Sequence, residues 1–549
     1  RSMTFTYHSD IVNNDVAQTT LSNKNDLNWT WSNTAAYDFT VARKHDFRVL
    51  LGAELTKQSS IDWSGNSEEY AFETPEYMWP NAATGATTVT GARVGYRLAS
   101  FFGKVDYNYD DLVLASFTLR RDGSSRFGRD NRWGTFPAAS LGFRASKLIE
   151  ADWLDDWKLR LSWGQTGNQA IDNNAQFGLF VADYGLDRVT STAYDIYLQG
   201  SGLLPSGYRA SQLANPDLKW ESATQYNVGM DFTLLHGSLY GSVDWYVKDV
   251  DDMLISPAFL GSKGEGGAAW FNGPSMRNWG MEFLVGYRST LPCGLGIDVS
   301  ANADFFRNKV TWLPEQAKGS YAHTPEEDLV ESGMPYGSMA GYVVEGIFQT
   351  QAEVDASGQP NARHGLQKYA DLNNSGTIDS NDQDWIYNPV PKFSYGINIG
   401  LNYKGFDLSM FWQGVCGQDV YNNQKAQTDF WAITDAGQNK GSRLLDAWNT
   451  NNTGSDIPRL STRNSADEGR MSSYYVENGS YIKLRSLQLG YTLPKEVASK
   501  LLMTSARVYV SGQNLLTVKS QSLTCPDPEN PNWNYPIATS VSFGLQLSF

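Results

Sequence analysis

The C-terminal segment, residues 538–549, carries the pattern that most restricts how this sequence can fold. From Val541 to Phe549 every second residue is apolar, and the residues between are serine, glycine or glutamine. Strict alternation is typical of a β-strand, because successive side chains point to opposite faces. The segment matches a membrane-spanning strand of about 9–11 residues, apolar toward lipid and polar toward a lumen. It therefore predicts the last strand of a transmembrane barrel.

The same alternation recurs along the chain. In 157–163 and 226–234, apolar residues alternate with polar residues or glycine. About fifteen strands of this kind can be marked from residue 27 onward. No run approaches the roughly 18 consecutive apolar residues that a membrane helix requires. The sequence thus excludes a helical membrane protein and predicts an all-β, antiparallel transmembrane β-barrel.

Short and long links between the predicted strands alternate along the whole chain. The short links include His236-Gly237 and Lys404-Gly405. Outer-membrane barrels have this arrangement, with short periplasmic turns and long extracellular loops, so the C-terminus is expected in the periplasm. The predicted extracellular loops span about residues 59–91, 169–219, 255–274, 314–390, 422–473 and 519–536.

The number of strands and the start of the chain lead to a further expectation. Bacterial barrels have an even number of strands, and about fifteen cannot close alone. The chain opens at Arg1-Ser2-Met3 without a signal peptide, which predicts a processed or truncated N-terminus. We therefore expect an odd number of further strands in another chain or in a removed part. The net charge of −15 argues against nucleic-acid binding, which requires a basic surface.

Seven short segments add a more specific signal, because they occur together and in a fixed order. They are RRDGSSRF (120–127), LRLSWGQTGN (159–168), NPDLKWE (215–221), MRNWGME (276–282), YKGFDLS (403–409), VENGSYIKLR (476–485) and SGQNL (511–515). In this order, the series closely resembles the C-terminal two-thirds of the barrel of SusC-like TonB-dependent transporters, the outer-membrane importers of the Bacteroidetes. The resemblance extends over nearly all of residues 1–549.

The resemblance implies a 22-stranded barrel, of which this chain supplies about fifteen C-terminal strands, plugged by an N-terminal domain that the sequence does not contain. It implies import of oligosaccharides or oligopeptides together with a SusD-like surface lipoprotein, which closes over the extracellular mouth. It also implies energy from TonB-ExbB-ExbD through the missing N-terminal part, and SusCD pairs that can associate as a dimer. No redox cofactor is implied.

The segment 371–382 has the spacing of a Ca²⁺-binding loop. Oxygen-bearing side chains stand at loop positions 1, 3, 5, 9 and 12, and Gly376 stands at position 6, where such loops turn sharply. Asp382 replaces the usual bidentate glutamate. The alternative is an Asx-rich turn without an ion. The predicted ligands of Ca²⁺ or Mg²⁺ are Asp371, Asn373, Ser375, Thr377, Asp379 and Asp382.

Aromatic residues in the predicted loops are candidates for substrate contact, because aromatic rings stack on sugar rings or on peptide side chains. The alternative is packing within the loops or the aromatic girdles of the barrel. The candidates are Trp270, Phe271, Trp385, Phe430, Trp431 and Trp448.

No catalytic motif is present, so we expect no enzymatic activity. The sequence has no H-E-x-x-H zinc motif and no G-x-S-x-G nucleophile. Two other functions remain open at this point. One is a passive, porin-type barrel without a plug, and the other is a secreted, soluble carbohydrate-binding β-protein. The alternation of links and the seven segments count against the soluble protein.

Overall fold

The computed structural model describes residues 2–8, 16–183, 207–256, 269–314, 329–430, 440–461, 469–531, 535 and 537–549. Within these ranges, sixteen strands form one antiparallel sheet, and each strand pairs with those before and after it. The predicted all-β, antiparallel architecture is confirmed. With the numbering running through all strands of the chain, the members of this sheet are β1 (Ser2–Thr6), β2 (Gln18–Val41), β3 (His45–Glu68), β4 (Thr87–Tyr109), β5 (Val113–Ser124), β6 (Trp133–Arg144), β7 (Leu154–Asn168), β10 (Glu221–Leu234), β11 (Leu239–Asp251), β14 (Ser275–Thr290), β15 (Gly296–Trp312), β20 (Phe393–Tyr403), β21 (Phe406–Cys416), β24 (Tyr481–Thr492), β25 (Ser505–Lys519) and β26 (Ser540–Ser548).

The sheet contains one strand more than the sequence predicts. β1 pairs with the first residues of β2, from Ser2 opposite Ser22 to Thr6 opposite Gln18. Five residues are too few to show a periodicity, so the strand could not be recognised from its pattern. With sixteen strands, the expectation of an odd number of further strands loses its premise.

The predicted loop 59–91 is shorter in the structure, because residues 59–68 belong to β3 and residues 87–91 to β4. Its serine, threonine and asparagine residues suggest a loop by composition. In the structure these side chains bond across strands instead. The Thr20 hydroxyl donates to the Asn66 side-chain oxygen at 3.0 Å, and the Ser22 and Ser64 hydroxyls lie 3.3 Å apart. The polar ends of these strands are thus held by cross-strand pairs.

The links at the two ends of the sheet differ in length: those at one end span 2 to 12 residues, and those at the other span 8 to 80. The tightest is Lys404-Gly405, where both residues have positive φ, 48° and 88°, as in the two-residue turns of twisted hairpins. The short links, all at one end of the sheet, are residues 42–44, 110–112, 145–153, 235–238, 291–295, 404–405 and 493–504. The long links, all at the other end, are residues 7–17, 69–86, 125–132, 169–220, 252–274, 313–392, 417–480 and 520–539.

The two faces of the sheet differ in polarity. On one face Leu141 lies opposite Leu161, and Leu161 lies opposite Val228. These three side chains are exposed. On the other face Ser140 and Ser162 lie opposite each other, and Ser162 pairs with Asn227. A continuous, exposed apolar face opposite a polar one is the arrangement of a membrane barrel. We call the apolar face the outer face and the polar face the inner face.

The long links carry their own secondary structure. The loop strands form five two-stranded pairs: β8 (Leu179–Asp183) with β9 (Gly207–Gln212), β12 (Leu254–Ile255) with β13 (Phe271–Asn272), β16 (Met339–Tyr342) with β19 (Gln383–Tyr387), β17 (Val344–Ile347) with β18 (Gln367–Tyr369), and β22 (Asp419–Tyr421) with β23 (Val476–Asn478), as far as the chain is described.

Helices are short and lie in the links. The α-helices in the described ranges are Leu329–Ser332, Gln351–Ala356, Lys425–Thr428 and Lys495–Lys500, and the 3₁₀ helices are Pro80–Ala82, Ala145–Lys147, Ser442–Asp446 and Ser473–Tyr475. None of the helices in these ranges is long and apolar enough to cross a membrane.

Buried apolar side chains concentrate where the strands meet the long links. The largest buried cluster comprises Phe127, Phe136, Ile171, Ala175, Leu218 and Trp220. Phe136 belongs to β6, whereas the other members lie in links, so this cluster fixes two long links onto the end of the sheet. The wall of the sheet itself is one layer, and the packed cores lie in the loops.

Candidate functional site

The inner face bears a broad cavity toward the short-link end of β2 to β7. Its volume is about 850 Å³. Its lining mixes apolar side chains with charged side chains of both signs, because the alternation of each strand turns its charged residues to this face. Charged residues of the lining are Asp38, Asp46, Arg48, Asp106, Lys158 and Arg160.

Arg160 joins three strands across this face. Its guanidinium donates to both carboxylate oxygens of Asp231, at 2.8 Å each, and to Asp244 at 2.9 Å. Gly229 lies opposite both Arg160 and Asp244. A Cβ at this position would stand 2.4 Å from the Asp244 carboxylate and 2.8 Å from the guanidinium. Glycine therefore leaves the space in which the arginine crosses β10 to reach both acids.

The row that begins at Asp244 continues as a line of acids. Asp244 lies opposite Glu282, and Glu282 lies opposite Asp304. One carboxylate oxygen of Asp304 is buried and has no hydrogen-bond partner among the described residues. These acids lie in three different strands, so only the register brings them together. Sequence reasoning missed the row because no single strand contains it.

The predicted substrate-contacting aromatics are spread over several loop cores. Trp270 packs against the cluster around Phe127, and Phe271 and Trp385 pack against Val310 and Leu313. These contacts belong to two separate cores, so the structure does not bring the candidates into one surface.

Two further candidates are buried more deeply. Phe430 is 3% exposed and stands edge-on to Tyr474. Trp448 is 5% exposed, and its indole N–H donates to the Gln349 side-chain oxygen at 2.7 Å. Trp431 lies outside the described residues. The burial of the described candidates favours loop packing, the alternative that the sequence left open.

The predicted cation loop is closed by hydrogen bonds from its own backbone. Asp371 accepts from the N–H groups of Ser375 and Gly376, at 3.0 and 2.8 Å. Asp382 is fully buried and accepts from the N–H groups of Leu372 and Asp379, at 3.0 and 2.8 Å.

Two further features of this loop bear on whether a cation fits. Gly376 has a φ of +79°, as the turn of a Ca²⁺ loop requires. Ile378 is buried against Tyr342 and Tyr369. In the described part of the chain, however, no three His, Cys, Asp or Glu side chains converge as metal ligands. The turn fits a cation, whereas the donor set is weaker than in a complete Ca²⁺ loop, because both oxygens of Asp371 and both oxygens of Asp382 already accept backbone hydrogen bonds.

An ionic network that the sequence did not predict fastens the link 520–539 to β24. Lys483 is 1% exposed, and its ammonium donates to both oxygens of Asp527 at 2.7 and 2.8 Å. It also donates to Glu529 at 2.7 Å. Glu529 accepts further bonds from Tyr481 and Arg485. Burial raises the pKa of Glu529, but the bonds from Lys483, Tyr481 and Arg485 outweigh it and lower the pKa below its usual value.

A second network joins the link 417–480 to the link 520–539. Glu477 accepts from the Thr524 hydroxyl at 2.6 Å and from the Asn422 amide at 3.0 Å. The Lys425 ammonium lies 3.1 Å from its carboxylate. Burial raises the pKa of Glu477, and these bonds and the nearby charge of Lys425 lower it more strongly. Glu477, Tyr481, Lys483 and Arg485 all belong to the segment 476–485, whose distinctive sequence was the available signal.

Solved structures resemble this chain over almost its whole length. The structure of the RagAB peptide transporter has a TM-score of 0.81 and 25% sequence identity, and the alignment covers 98% of this chain and 57% of that chain. Its RagAB counterpart in the "open-open" state has a TM-score of 0.77 and covers 97% of this chain and 56% of that one.

Curated relatives and a family profile agree with this likeness. TonB-dependent receptor P3 of Formosa agariphila is 29% identical, covering 87% of this chain and 48% of the relative. TonB-dependent receptor SusC of Bacteroides thetaiotaomicron is 29% identical, covering 92% of this chain and 48% of the relative. The chain thus spans about half the length of the curated relatives it matches. The profile described as "TonB dependent receptor-like, beta-barrel" matches residues 2–515, and the chain belongs to this family.

Proposed function

We propose that this chain forms most of the wall of a TonB-dependent transporter that imports large nutrients. The observation that carries the proposal is its likeness to the RagAB peptide transporter over 98% of the chain. The family is one of bacterial outer-membrane receptors, and the chain is accordingly an outer-membrane protein. In the proposed orientation the long links are extracellular, and the short links and the C-terminus are periplasmic.

The proposed partners follow from the same likeness. A SusD-like surface lipoprotein would cover the long links, whose packed cores and ionic networks give it a firm surface. A plug, further barrel strands and the contact with TonB-ExbB-ExbD would come from the part of the relatives that this chain does not span. Pairs of transporter and lipoprotein could form a dimer in the membrane.

The substrate class is an oligopeptide or an oligosaccharide. The RagAB neighbour is described as a peptide transporter, which supports peptides for this chain. The inner face offers alternating charges in the cavity and the acid row of Asp244, Glu282 and Asp304. Charged pairs of this kind bind the termini and side chains of peptides better than they bind neutral sugars. These positions favour oligopeptides with basic groups.

Two loop sites complete the proposal. The segment 371–382 would hold Ca²⁺ or Mg²⁺ through Asp371, Asn373, Ser375, Thr377, Asp379 and Asp382, and would brace the longest loop without taking part in transport. The loop aromatics Trp270, Phe271 and Trp385 are half-buried and would contact substrate only at the edge of their packed clusters.

Mass spectrometry of the detergent-extracted complex, first native and then denatured, tests the proposal. We expect a second component of SusD type, and polypeptide that carries the plug and the remaining strands. A 61.0 kDa chain that stays folded and alone without detergent would contradict the proposal.

Uptake of labelled oligopeptides and oligosaccharides by cells with and without the intact gene then separates the two substrate classes. A plug-free barrel that passes substrates without TonB would instead indicate a passive channel.

A further inference from the structure

A trough on the outer face of β2 to β6 leads to basic side chains near the long-link end. The trough has a volume of about 710 Å³. Its apolar walls include Trp29, Leu55, Ala99 and Trp133. Three cations, Lys57, Arg97 and Arg132, also line it. The substrate path runs along the inner face, so this surface is not part of the site described above.

The register shows that Lys57 and Arg97 point outward. Lys57 lies opposite Trp29 on one side and opposite Arg97 on the other. Lys57 is separated from Leu55 and Leu51 by even numbers of residues, so the three share a face. Leu51 and Leu55 are exposed on the outer face, at 62% and 40%. Lys57 and Arg97 therefore extend from the apolar face of the barrel.

A second depression adjoins the trough and adds the cation Arg93. It has a volume of about 380 Å³ and is lined by Arg93 together with Lys57 and Arg97. None of the three forms an ion pair within the described ranges of the chain. Elsewhere on the outer face, by contrast, Arg277 is held by Asp249 at 2.6 and 2.9 Å. The cations of this patch repel each other, and no carboxylate of the described residues pairs with them, which favours a bound anion.

The position of the patch matches the level of lipid headgroups. Near the short-link end, Phe47 stacks on Phe39 and lies against Tyr107, which forms an aromatic belt. From Phe47 to Lys57 the strand rises about 33 Å, at about 3.3 Å per residue. At the usual tilt of about 35–45°, this is about 25 Å across the membrane, the height of the apolar band of such barrels. Lys57 thus stands about one hydrocarbon thickness from this belt.

The surface below the cations has room for acyl chains. A further depression of about 660 Å³ has a floor of Ala35, Ala53 and Gly103 between the larger Leu51, Phe101 and Leu119. It faces outward, since Leu51 and Phe101 are exposed on the outer face. Small residues between large apolar ones leave a groove that flexible hydrocarbon can fill.

We propose that Lys57, Arg93 and Arg97 bind the phosphate groups of a phosphorylated glycolipid in the extracellular leaflet, with its acyl chains along the trough between Trp29 and Trp133. The proposal rests on the orientation given above, with the long links outside the cell. Arg97 offers a planar donor pair that matches a phosphate, and Lys57 adds a point charge. The tryptophans suit the boundary between hydrocarbon and headgroups.

Lipid binding to the complete, detergent-purified transporter tests this inference. The probe is bisphosphorylated lipid A, added after delipidation and followed by native mass spectrometry. The variant Lys57→Gln/Arg97→Gln removes two charges and keeps polar, unbranched side chains. We expect about fivefold weaker binding for each charge removed, or roughly 25-fold for the pair. Arg97→Lys, which retains the charge, should lose much less.

A matched control removes the same charge at the opposite end of the sheet. Lys495→Gln/Lys500→Gln alters two exposed lysines in the link 493–504 and should leave lipid A binding unchanged. Dephosphorylated lipid A should bind the wild type as weakly as lipid A binds the double variant. Heat-modifiable migration shows that each variant is folded.

Three results would overturn the inference. They are equal lipid A binding by the double variant and the control, equal binding of lipid A with and without its phosphates, and inorganic phosphate that competes as well as the lipid. Substrate uptake, measured in parallel, reports on the import proposal alone. A loss of uptake with intact lipid binding would count against that proposal and not against this one.

Discussion

At the scale of single residues, the inner face depends on Arg160 to offset two acids. Arg160→Met would leave Asp231 and Asp244 without their shared cation, and each would lose hydrogen bonds of 2.8–2.9 Å. Hydrogen bonds to charged groups contribute about 1.5–3 kcal/mol each when they are well shielded, but these groups are partly exposed. We therefore expect the variant's free energy of unfolding to fall by about 1–3 kcal/mol. The temperature at which the protein changes from its folded to its unfolded migration in the gel measures this loss of stability.

Lys158→Met is the control for this prediction. Lys158 lies on the same strand and the same face as Arg160, two positions away, and forms no ion pair in the described part of the chain. Its loss should change the transition little. Adding Asp244→Asn to Arg160→Met should restore part of the stability, because it removes the repulsion between the two acids. Equal transitions for Lys158→Met and Arg160→Met would refute the role of the network.

The loop 371–382 yields a second residue-scale prediction. If it binds a divalent cation, Ca²⁺ added to chelator-treated protein should raise the transition temperature, and Asp371→Asn should abolish that rise. Asp384→Asn, just beyond the loop, is the control and should leave it unchanged. If the wild type responds to neither Ca²⁺ nor Mg²⁺, the segment is an Asx-rich turn held by its own hydrogen bonds.

Only part of the inner face could be predicted from the sequence: which residues share it, but not which of them bond across strands. Alternation predicted that Asn227, Gly229 and Asp231 share a polar face, and they do. It could not predict that Arg160 bridges Asp231 and Asp244, because the register between strands is a property of the assembled sheet. The loop aromatics illustrate the same limit. Composition cannot distinguish a ring that binds substrate from Trp448, which is buried by contacts distant in sequence.

At the scale of elements, the link 520–539 is tied to its neighbours by groups that titrate. The folded-state pKa values of Glu477 and Glu529 are lowered from an ordinary value of 4.5. A lowered carboxyl pKa contributes stability that is present above the unfolded-state value and is lost as the pH falls through the folded-state value. We therefore expect the link to stay closed at neutral pH and to open below about pH 4.5.

The thiol of Cys525 reports this opening. It is buried with Val420 and Leu523 between the two links that the networks join. Its reaction with 4,4′-dithiodipyridine, which works at acid pH, can be mapped by peptide mass spectrometry apart from Cys293 and Cys416. Lys483→Met removes the cation that lowers the pKa of Glu529, so opening should begin at a higher pH. Lys495→Met, exposed on a short link, is the control; identical pH profiles for Lys483→Met and wild type would contradict the prediction.

The elements themselves were the most predictable part of the molecule. Strands such as β10 and β26 carry an alternation long enough to identify them alone. β1 was not predicted, because five residues do not define a period. The polar ends of β2 and β3 escaped because serine and asparagine suggest loops, while cross-strand bonds such as the one between Thr20 and Asn66 keep them paired.

At the scale of the whole molecule, the outer face should contact lipid, whereas the loop cores should not. Trp31 and Trp245 are exposed on the outer face, at 52% and 43%, whereas Trp448 is buried in a loop. In vesicles with brominated acyl chains, which quench indole fluorescence on contact, Trp31→Phe and Trp245→Phe should each remove part of the quenchable emission. Trp448→Phe should lower total emission without lowering the quenchable part, because its indole bonds to Gln349 inside the loop. Quenchable emission that falls equally in all three variants would mean that the apolar face of the sheet is not the face that meets the membrane.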